Sequence, residues 1–229
     1  METIIKSLLK PIYLAWVQSR WPVFQTRRNR RILQSYIDNS GSDSKWLNIG
    51  SGGKVLGANF TNLDIYSGAN IDIVASADQI PLADNTFDGL ASIAVLEHVQ
   101  FPDLVVKEMY RVLKPNAVAF IEVPFMQPVH AAPSDFQRYT LEGLKTLFRE
   151  FDVLECGVSA GPASSLAWTL KETLSILFSG GNPKIYQVLQ WIISPIVLPI
   201  SWLDFFLESN PMSYISASGY YIVLKKNAP

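Results

Sequence analysis

The chain is poor in cysteine, histidine and charge. One cysteine, Cys156, stands among 229 residues. That excludes a disulfide framework and any cysteine-rich zinc module, and it suits a reducing compartment. Charged residues make up only 17% against 48% hydrophobic, with a formal net charge of −1; the ordinary charged share is ~25%. A disordered chain needs the reverse, low hydrophobicity with a large net charge. With 13 Gly and 14 Pro, collagen-like and low-complexity classes are excluded as well. A typical domain takes ~100–200 residues, so the length fits one large domain with additions.

The near-zero charge conceals an asymmetry. Residues 1–31 hold seven basic residues against Glu2, a net +6, and the remaining body carries −7. In the arm, Ile4, Ile5, Leu8, Leu9, Ile12, Tyr13 and Trp16 recur at helical spacing, and Pro11 is expected to kink the helix. Lys6 and Lys10 interleave with these apolar residues and no small-residue cleavage site follows, which argues against a secretory signal. Trp16, Trp21 and Phe24 precede the run Arg27-Arg28-Asn29-Arg30-Arg31. Such a basic, aromatic element suits an anionic membrane surface. The competing reading is a helix packed on the domain with a solvated basic face.

From Trp46 the pattern becomes short apolar runs separated by turns and helices, the signature of an α/β domain. Strands are expected at Trp46–Ile49, Thr61–Ile65, Ile71–Ala75, Phe87–Ile93, Val118–Val123, Val153–Val158 and Tyr220–Leu224. Leu104, Val105, Glu108, Met109, Val112 and Leu113 mark a helix ended by Lys114-Pro115-Asn116, and another helix is expected at Thr140–Phe148. Between the last two strands, at about 160–210, lies an apolar insertion. No charged residue occurs from Ile185 to Leu203, although Pro195 and Pro199 interrupt the run. A spanning helix needs ~20 predominantly apolar residues, so a re-entrant or in-plane membrane element, or a helical hairpin forming a substrate lid, is the stronger expectation. The domain reading is an arm at 1–45 and a catalytic domain at 46–229.

Trp46-Leu47-Asn48-Ile49-Gly50-Ser51-Gly52-Gly53 is a strand running into a glycine-rich turn. Small residues let a ligand approach the backbone, and N–H groups at the start of a following helix can meet its polar atoms. The dinucleotide fingerprint would need glycine where Val55 stands, and Lys54 is not followed by Ser or Thr as a P-loop requires. Asp64, at the end of the next apolar run, can accept hydrogen bonds from two ribose hydroxyls; otherwise it is a turn or capping residue. Together the two features point to an adenosine-containing ligand.

The ordered set Ile80-Pro81-Leu82-Ala83-Asp84-Asn85-Thr86-Phe87-Asp88, Val95-Leu96-Glu97-His98-Val99 and Glu108 with Arg111-Val112-Leu113-Lys114-Pro115 resembles the class I S-adenosylmethionine-dependent methyltransferases, type 11 subgroup. The resemblance runs from Trp46 to about Phe151. It implies a Rossmann-like, seven-stranded, mostly parallel sheet with helices on both faces, S-adenosylmethionine as cofactor with S-adenosylhomocysteine as product, and no metal. Gly50, Ser51 and Gly52 would hold the methionine part, Asp64 the ribose, and Ile65 would pack on adenine; Ile93, at the end of the fourth strand, joins the cofactor set. Two positions depart from the family pattern. Asn48 stands where an acidic residue is common, and Ser76, with Ala77 and Asp78 beside it, stands at the usual adenine-facing Asp.

The sulfonium methyl is already activated, so transfer mainly requires a held acceptor and exclusion of water. A hydroxyl acceptor also benefits from a base, and His98 and His130 are the only histidines. His98 belongs to the strand-end motif, with a structural or acceptor-binding role expected. The segment His130, Asp135-Phe136-Gln137-Arg138-Tyr139-Thr140 resembles the His-x4-Asp-aromatic-x-Arg-aromatic-Thr run of type 11 members that look like enzymes of surface-polysaccharide and glycolipid synthesis. His130 is the expected proton acceptor, Asp135 orients it, and Arg138 and Tyr139 meet the acceptor; alternatively Asp135 and Arg138 pair to fix the loop. The expected reaction is methyl transfer to an oxygen of a sugar or glycolipid. The rivals are methylation of a prenylated quinone ring and a non-catalytic membrane-bound partner protein. No Asn/Asp-Pro-Pro-aromatic motif follows the fourth strand, so DNA amino-methylation and a nucleic-acid partner are not expected. The remaining expectations are a cytoplasmic protein peripheral to a membrane, contacting it through 1–31 and 185–203, or else a homodimer.

Overall fold

The structure is a computed structural model describing residues 22–228. The helical arm expected at 4–16 lies outside the described residues. Two compact units divide the chain. The first contains Arg27–Phe125, Val129–Ser159 and the chain from Gly219; the second contains residues 22–26, Met126–Pro128 and Ala160–Ser218.

The first unit is built on one seven-stranded sheet in the order β3-β2-β1-β4-β5-β7-β6. The strands are β1 (Trp46–Ile49), β2 (Phe60–Asp64), β3 (Ile73–Val74), β4 (Phe87–Ile93), β5 (Leu113–Pro124), β6 (Phe151–Ala160) and β7 (Gly219–Lys226). β1 pairs in parallel with β2 and β4, β2 with β3 and β4 with β5, while β7 runs antiparallel to β5. This is the mostly parallel Rossmann-like architecture expected of a class I methyltransferase.

Strand alternation sends successive side chains to opposite faces. Leu47 and Ile49 pack with Leu63, Leu90 and Ile121 in a core closed by α2 (Pro102–Val112) and α3 (Leu141–Leu147). Trp46, from the other parity, packs with Phe60, Ala91 and the α1 (Arg27–Asn39) residues Leu33 and Tyr36. Pro102 occupies the first turn of α2, where its missing N–H costs nothing. Its buried stripe is Val105, Val106, Met109 and Val112. Leu104 is instead 44% exposed, and Leu113 opens β5.

One expectation is corrected here. No helix follows the glycine turn, and residues 50–59 form turns and loop. Only ten residues separate β1 from β2, at the lower limit for a crossover that carries a helix.

The second unit carries α4 (Pro162–Ser179), α5 (Pro183–Ser201) and the short α6 (Asp204–Leu207). α4 and α5 pack along Ala167, Ile193 and Val197, with Leu170, Leu174 and Leu189 around them. Pro195 and Pro199 do not interrupt α5. Proline's fixed φ is itself helical, so the helix continues through both positions at the cost of a missing N–H and of crowding against the carbonyl one turn back. The end of α4 turns through Gly180 and Gly181, both at positive φ, and the Asn182 side chain caps α5 by accepting from the N–H groups of Lys184 and Ile185.

Candidate active site

The carboxyl end of β1 turns sharply at Gly50 (φ +64°), Gly52 (+55°) and Gly53 (+77°). A Cβ at Gly50 would lie 2.4 Å from Val95 Cγ2, and one at Gly53 would lie 2.7 Å from the Ala69 carbonyl. The turn is tied to β2 from both sides. Ser51 N–H donates to the Leu63 carbonyl at 3.1 Å, and Gly52 N–H donates to Asp64 Oδ2 at 2.8 Å. The other oxygen of Asp64 accepts from Tyr66 N–H at 3.0 Å. Asp64 therefore fixes the turn that the sequence pairs with it. Ile65, beside it, is 59% exposed.

Asn48 is buried and donates to both Asn62 Oδ1 (2.9 Å) and the Lys54 carbonyl (3.0 Å). An aspartate offers no such donors, which accounts for the amide at this position: the side chain is spent bracing the glycine turn. Ser76 is exposed, with Ala77 and Asp78 half-buried, in the loop after β3. Ile93 is not with them; it packs on the cluster of Ile32, Phe120, Tyr221 and Val223.

The most specific sequence motif proves to be one hydrogen-bonded clamp. Arg111 donates to both oxygens of Glu108 at 2.7 Å, to Asp84 at 2.7 Å, and to the carbonyls of Ile80 and Leu82 at 2.8 and 2.7 Å. Glu108 also accepts from Ile80 N–H at 2.8 Å. Bidentate pairing with Glu108, then Asp84, holds the guanidinium above its ordinary pKa, and Arg111 holds the Glu108 carboxyl below the usual carboxylate range despite desolvation. The clamp fixes the loop between β3 and β4, where Ser76, Ala77 and Asp78, the residues expected on the adenine side, sit.

Beyond β4, the single turn Leu96–His98 meets the segment that follows β5. His98 Nδ1 lies 2.6 Å from the Ser134 carbonyl; a carbonyl can only accept, so the ring proton sits on Nδ1. Phe136 N–H donates to the Glu97 carbonyl at 2.7 Å, and Gln137 donates to the carbonyls of Leu96 and Val99. Asp135 accepts from His130 N–H at 2.8 Å and from both terminal nitrogens of Arg138. The Arg138 bonds outweigh the burial that opposes them and lower the Asp135 carboxyl to about 2. The loop-fixing ion pair is thus present. Tyr139 is buried, with its hydroxyl directed at the Leu96 carbonyl at 3.4 Å, and burial, with the charge of Glu97 next, raises its pKa. That hydroxyl is engaged within the protein.

Residue-by-residue reading of the sequence passed over Glu97. Its side chain is fully buried and neither carboxylate oxygen has a hydrogen-bond partner. Nε2 of His98 and Nε2 of His130 each lie 3.7 Å from Glu97 Oε1. The two imidazole rings meet edge to face with centroids 5.4 Å apart. Glu97, His98 and His130 are the one group of three such donors among the described residues close enough to hold a metal ion, all within 4.8 Å of one another. The signal in the sequence was a Glu-His pair that lies at the end of a strand and is followed, after the next strand, by the only other histidine.

Residues 40–121 match the family model described as a methyltransferase domain. A search of curated proteins finds no match. Among solved structures, the chain is similar to coclaurine N-methyltransferase bound to N-methylheliamine and S-adenosylhomocysteine (12% identity, TM-score 0.54, covering 86% of this chain and 72% of that one). It is also similar to the Burkholderia thailandensis 1,6-didemethyltoxoflavin-N1-methyltransferase (12%, 0.52, 88% and 78%). The cyclase SpnF is another (14%, 0.53, 87% and 81%). At these identities the likeness shows the fold. The family match makes residues 40–121, which carry the glycine turn and the ordered motifs, similar to a methyltransferase domain.

Proposed function

We propose that the chain is an S-adenosylmethionine-dependent methyltransferase that modifies a hydroxyl oxygen of a sugar or of a lipid-linked glycan, and that it works at the cytoplasmic face of a membrane. The observation that carries the reading is the pair of histidines flanking the buried Glu97, in loops that follow adjacent parallel strands, where ligands of α/β sheets bind. The acceptor oxygen attacks the sulfonium methyl in line, a C–O bond forms, the C–S bond breaks with its pair remaining on sulfur, and the acceptor proton leaves to a base. His130 suits that role. Its Nε2 faces Glu97 at 3.7 Å, so the neutral ring carries its proton there and its lone pair on Nδ1, which accepts from Arg138 at 3.3 Å and takes the acceptor proton once that donor is drawn off to the acceptor. Protonation of Nδ1 creates an imidazolium that the Glu97 carboxylate stabilises, as a buried carboxylate does for other catalytic histidines. Asp135 acts through the backbone N–H of His130 and through Arg138, so it positions the base and does not itself take the proton. His98 and Arg138 line the acceptor side, and the turn from Gly50 to Gly52, with Asp64, Ile65 and the Ser76–Asp78 loop, carries the cofactor.

The test is a transfer screen with labelled S-adenosylmethionine against sugar nucleotides, lipid-linked sugars, quinones and amines. Label is expected in an O-methyl sugar, and His130→Gln should lower turnover ~10²–10⁴-fold with cofactor affinity unchanged. Transfer confined to quinones or amines would overturn the acceptor reading, and unchanged turnover in His130→Gln would overturn the assignment of the base.

A further inference from the structure

The polarity of the helical hairpin α4–α5 is inverted. In a water-soluble hairpin the charged residues face out and the apolar ones meet between the helices. The two charged residues of α4, Lys171 and Glu172, are instead turned inward. Lys171 is 2% exposed and its Nζ lies 3.2 Å from Glu172 Oε1. Glu172 further accepts from Trp168 Nε1 at 3.1 Å, from Gln190 at 2.8 Å across the hairpin, and from the Tyr186 hydroxyl. Ser164, Ser175 and Ser194 are buried as well. Apart from Lys184 in the first turn of α5, the outward surface of the two helices carries no charge and is largely apolar, with Ile176 63%, Leu177 67%, Val188 57%, Ile192 55% and Ile196 69% exposed. The stretch Pro183–Leu207 is long and apolar enough to cross a bilayer, with mean hydropathy 1.5 and only 28% of its most apolar window buried.

From this inside-out arrangement we infer that the α4–α5 hairpin is embedded in a lipid membrane and enters and leaves it from the same side. The two open ends of the hairpin lie together. Asp204, just past α5, accepts from the N–H groups of Ala163 and Ser164 at the start of α4, at 2.8 and 2.9 Å. A chain that returns to its starting point does not translocate its ends, so the hydropathy of α5 marks monotopic insertion and not a span. Lipid fits this surface better than a second copy of the chain does. Protein interfaces carry a polar rim with about one hydrogen bond per 100–200 Å², whereas no charged residue occurs from Ile185 to Leu203. The net +6 of residues 1–31 matches an anionic lipid surface. The inference deepens the membrane placement proposed above, and its test uses no methyl acceptor, so it stands or falls apart from the acceptor assignment.

The experiment is flotation of the purified full chain with phosphatidylcholine vesicles, with and without phosphatidylglycerol, at low salt and at 1 M salt. Binding is expected to persist at 1 M salt, where the basic arm is screened. The triple variant Val188→Glu, Ile192→Glu, Ile196→Glu should lower salt-resistant binding at least ~10-fold and keep its S-adenosylmethionine affinity, since all three side chains are exposed. Three outcomes overturn the inference: wild type that never floats with either vesicle, a triple variant that binds as wild type does, or vesicle binding abolished entirely by salt. A stable dimer in detergent-free solution that the triple variant dissociates would assign the surface to a second copy instead.

Discussion

Gly50→Ala probes the turn on which the proposed cofactor site rests. The position has φ +64°, and placing a Cβ in that conformation costs ~1–2 kcal/mol. The added methyl would sit 2.4 Å from Val95 Cγ2 and 3.1 Å from Cγ1, and overpacking of this kind costs ~1–3 kcal/mol. The expected loss is therefore about 2–5 kcal/mol, read as a lowered urea midpoint with an unchanged slope. Val95→Ala removes the two methyls that the new Cβ would strike but leaves the backbone strain. In the double variant the steric part should be recovered, giving a coupling of about 1–3 kcal/mol opposite in sign to the losses. A Gly50→Ala protein within ~0.5 kcal/mol of wild type, or a double variant whose losses merely add, would refute the geometry of the turn.

The Asp135 carboxyl, held at about 2 in the folded protein against an ordinary 3.8, titrates below its unfolded counterpart. Its stabilising share, about 2 kcal/mol, is present above pH ~4 and lost as pH falls toward 2. Urea curves at pH 7, 4 and 3 should show wild type losing that increment and Asp135→Asn lacking it; parallel losses in both proteins would contradict the pairing with Arg138. Asp204 caps the start of α4 from a buried position. Asp204→Ala should lower stability by about 1–3 kcal/mol, checked by thermal melting, and an unchanged midpoint would remove the cap from the account. Because the sulfonium methyl is already activated, methyl transfer should survive a chelator. Activity lost to chelation and restored by a divalent cation would make Glu97, His98 and His130 a metal centre.

The sheet was legible in the sequence because each strand is a short apolar run bounded by turn residues, and β4 is found at the expected residues. β5 extends back to Leu113, since Lys114-Pro115-Asn116 stops the helix without delaying the pairing of the strand. The absent helix after β1 was not legible, because the glycine turn looks the same whether a helix or a loop follows it. Glu97 escaped residue-level attention for a similar reason. Its importance lies in burial without a partner, and sequence spacing does not reveal which carboxylate the fold removes from water. The apolar run at Ile185–Leu203 was plain in the sequence. That Lys171 and Glu172 turn inward beside it depends on the packing of α4 against α5, which periodicity alone does not give.

Calorimetric titration of S-adenosylmethionine into the wild-type protein and into Asp64→Ala tests the central claim most directly. The account predicts saturable binding to wild type and, because Asp64 both anchors Gly52 N–H and is the expected ribose partner, a loss of ~10-fold or more in the variant, equivalent to at least one charge-assisted hydrogen bond. Absence of binding to wild type at millimolar cofactor would contradict it.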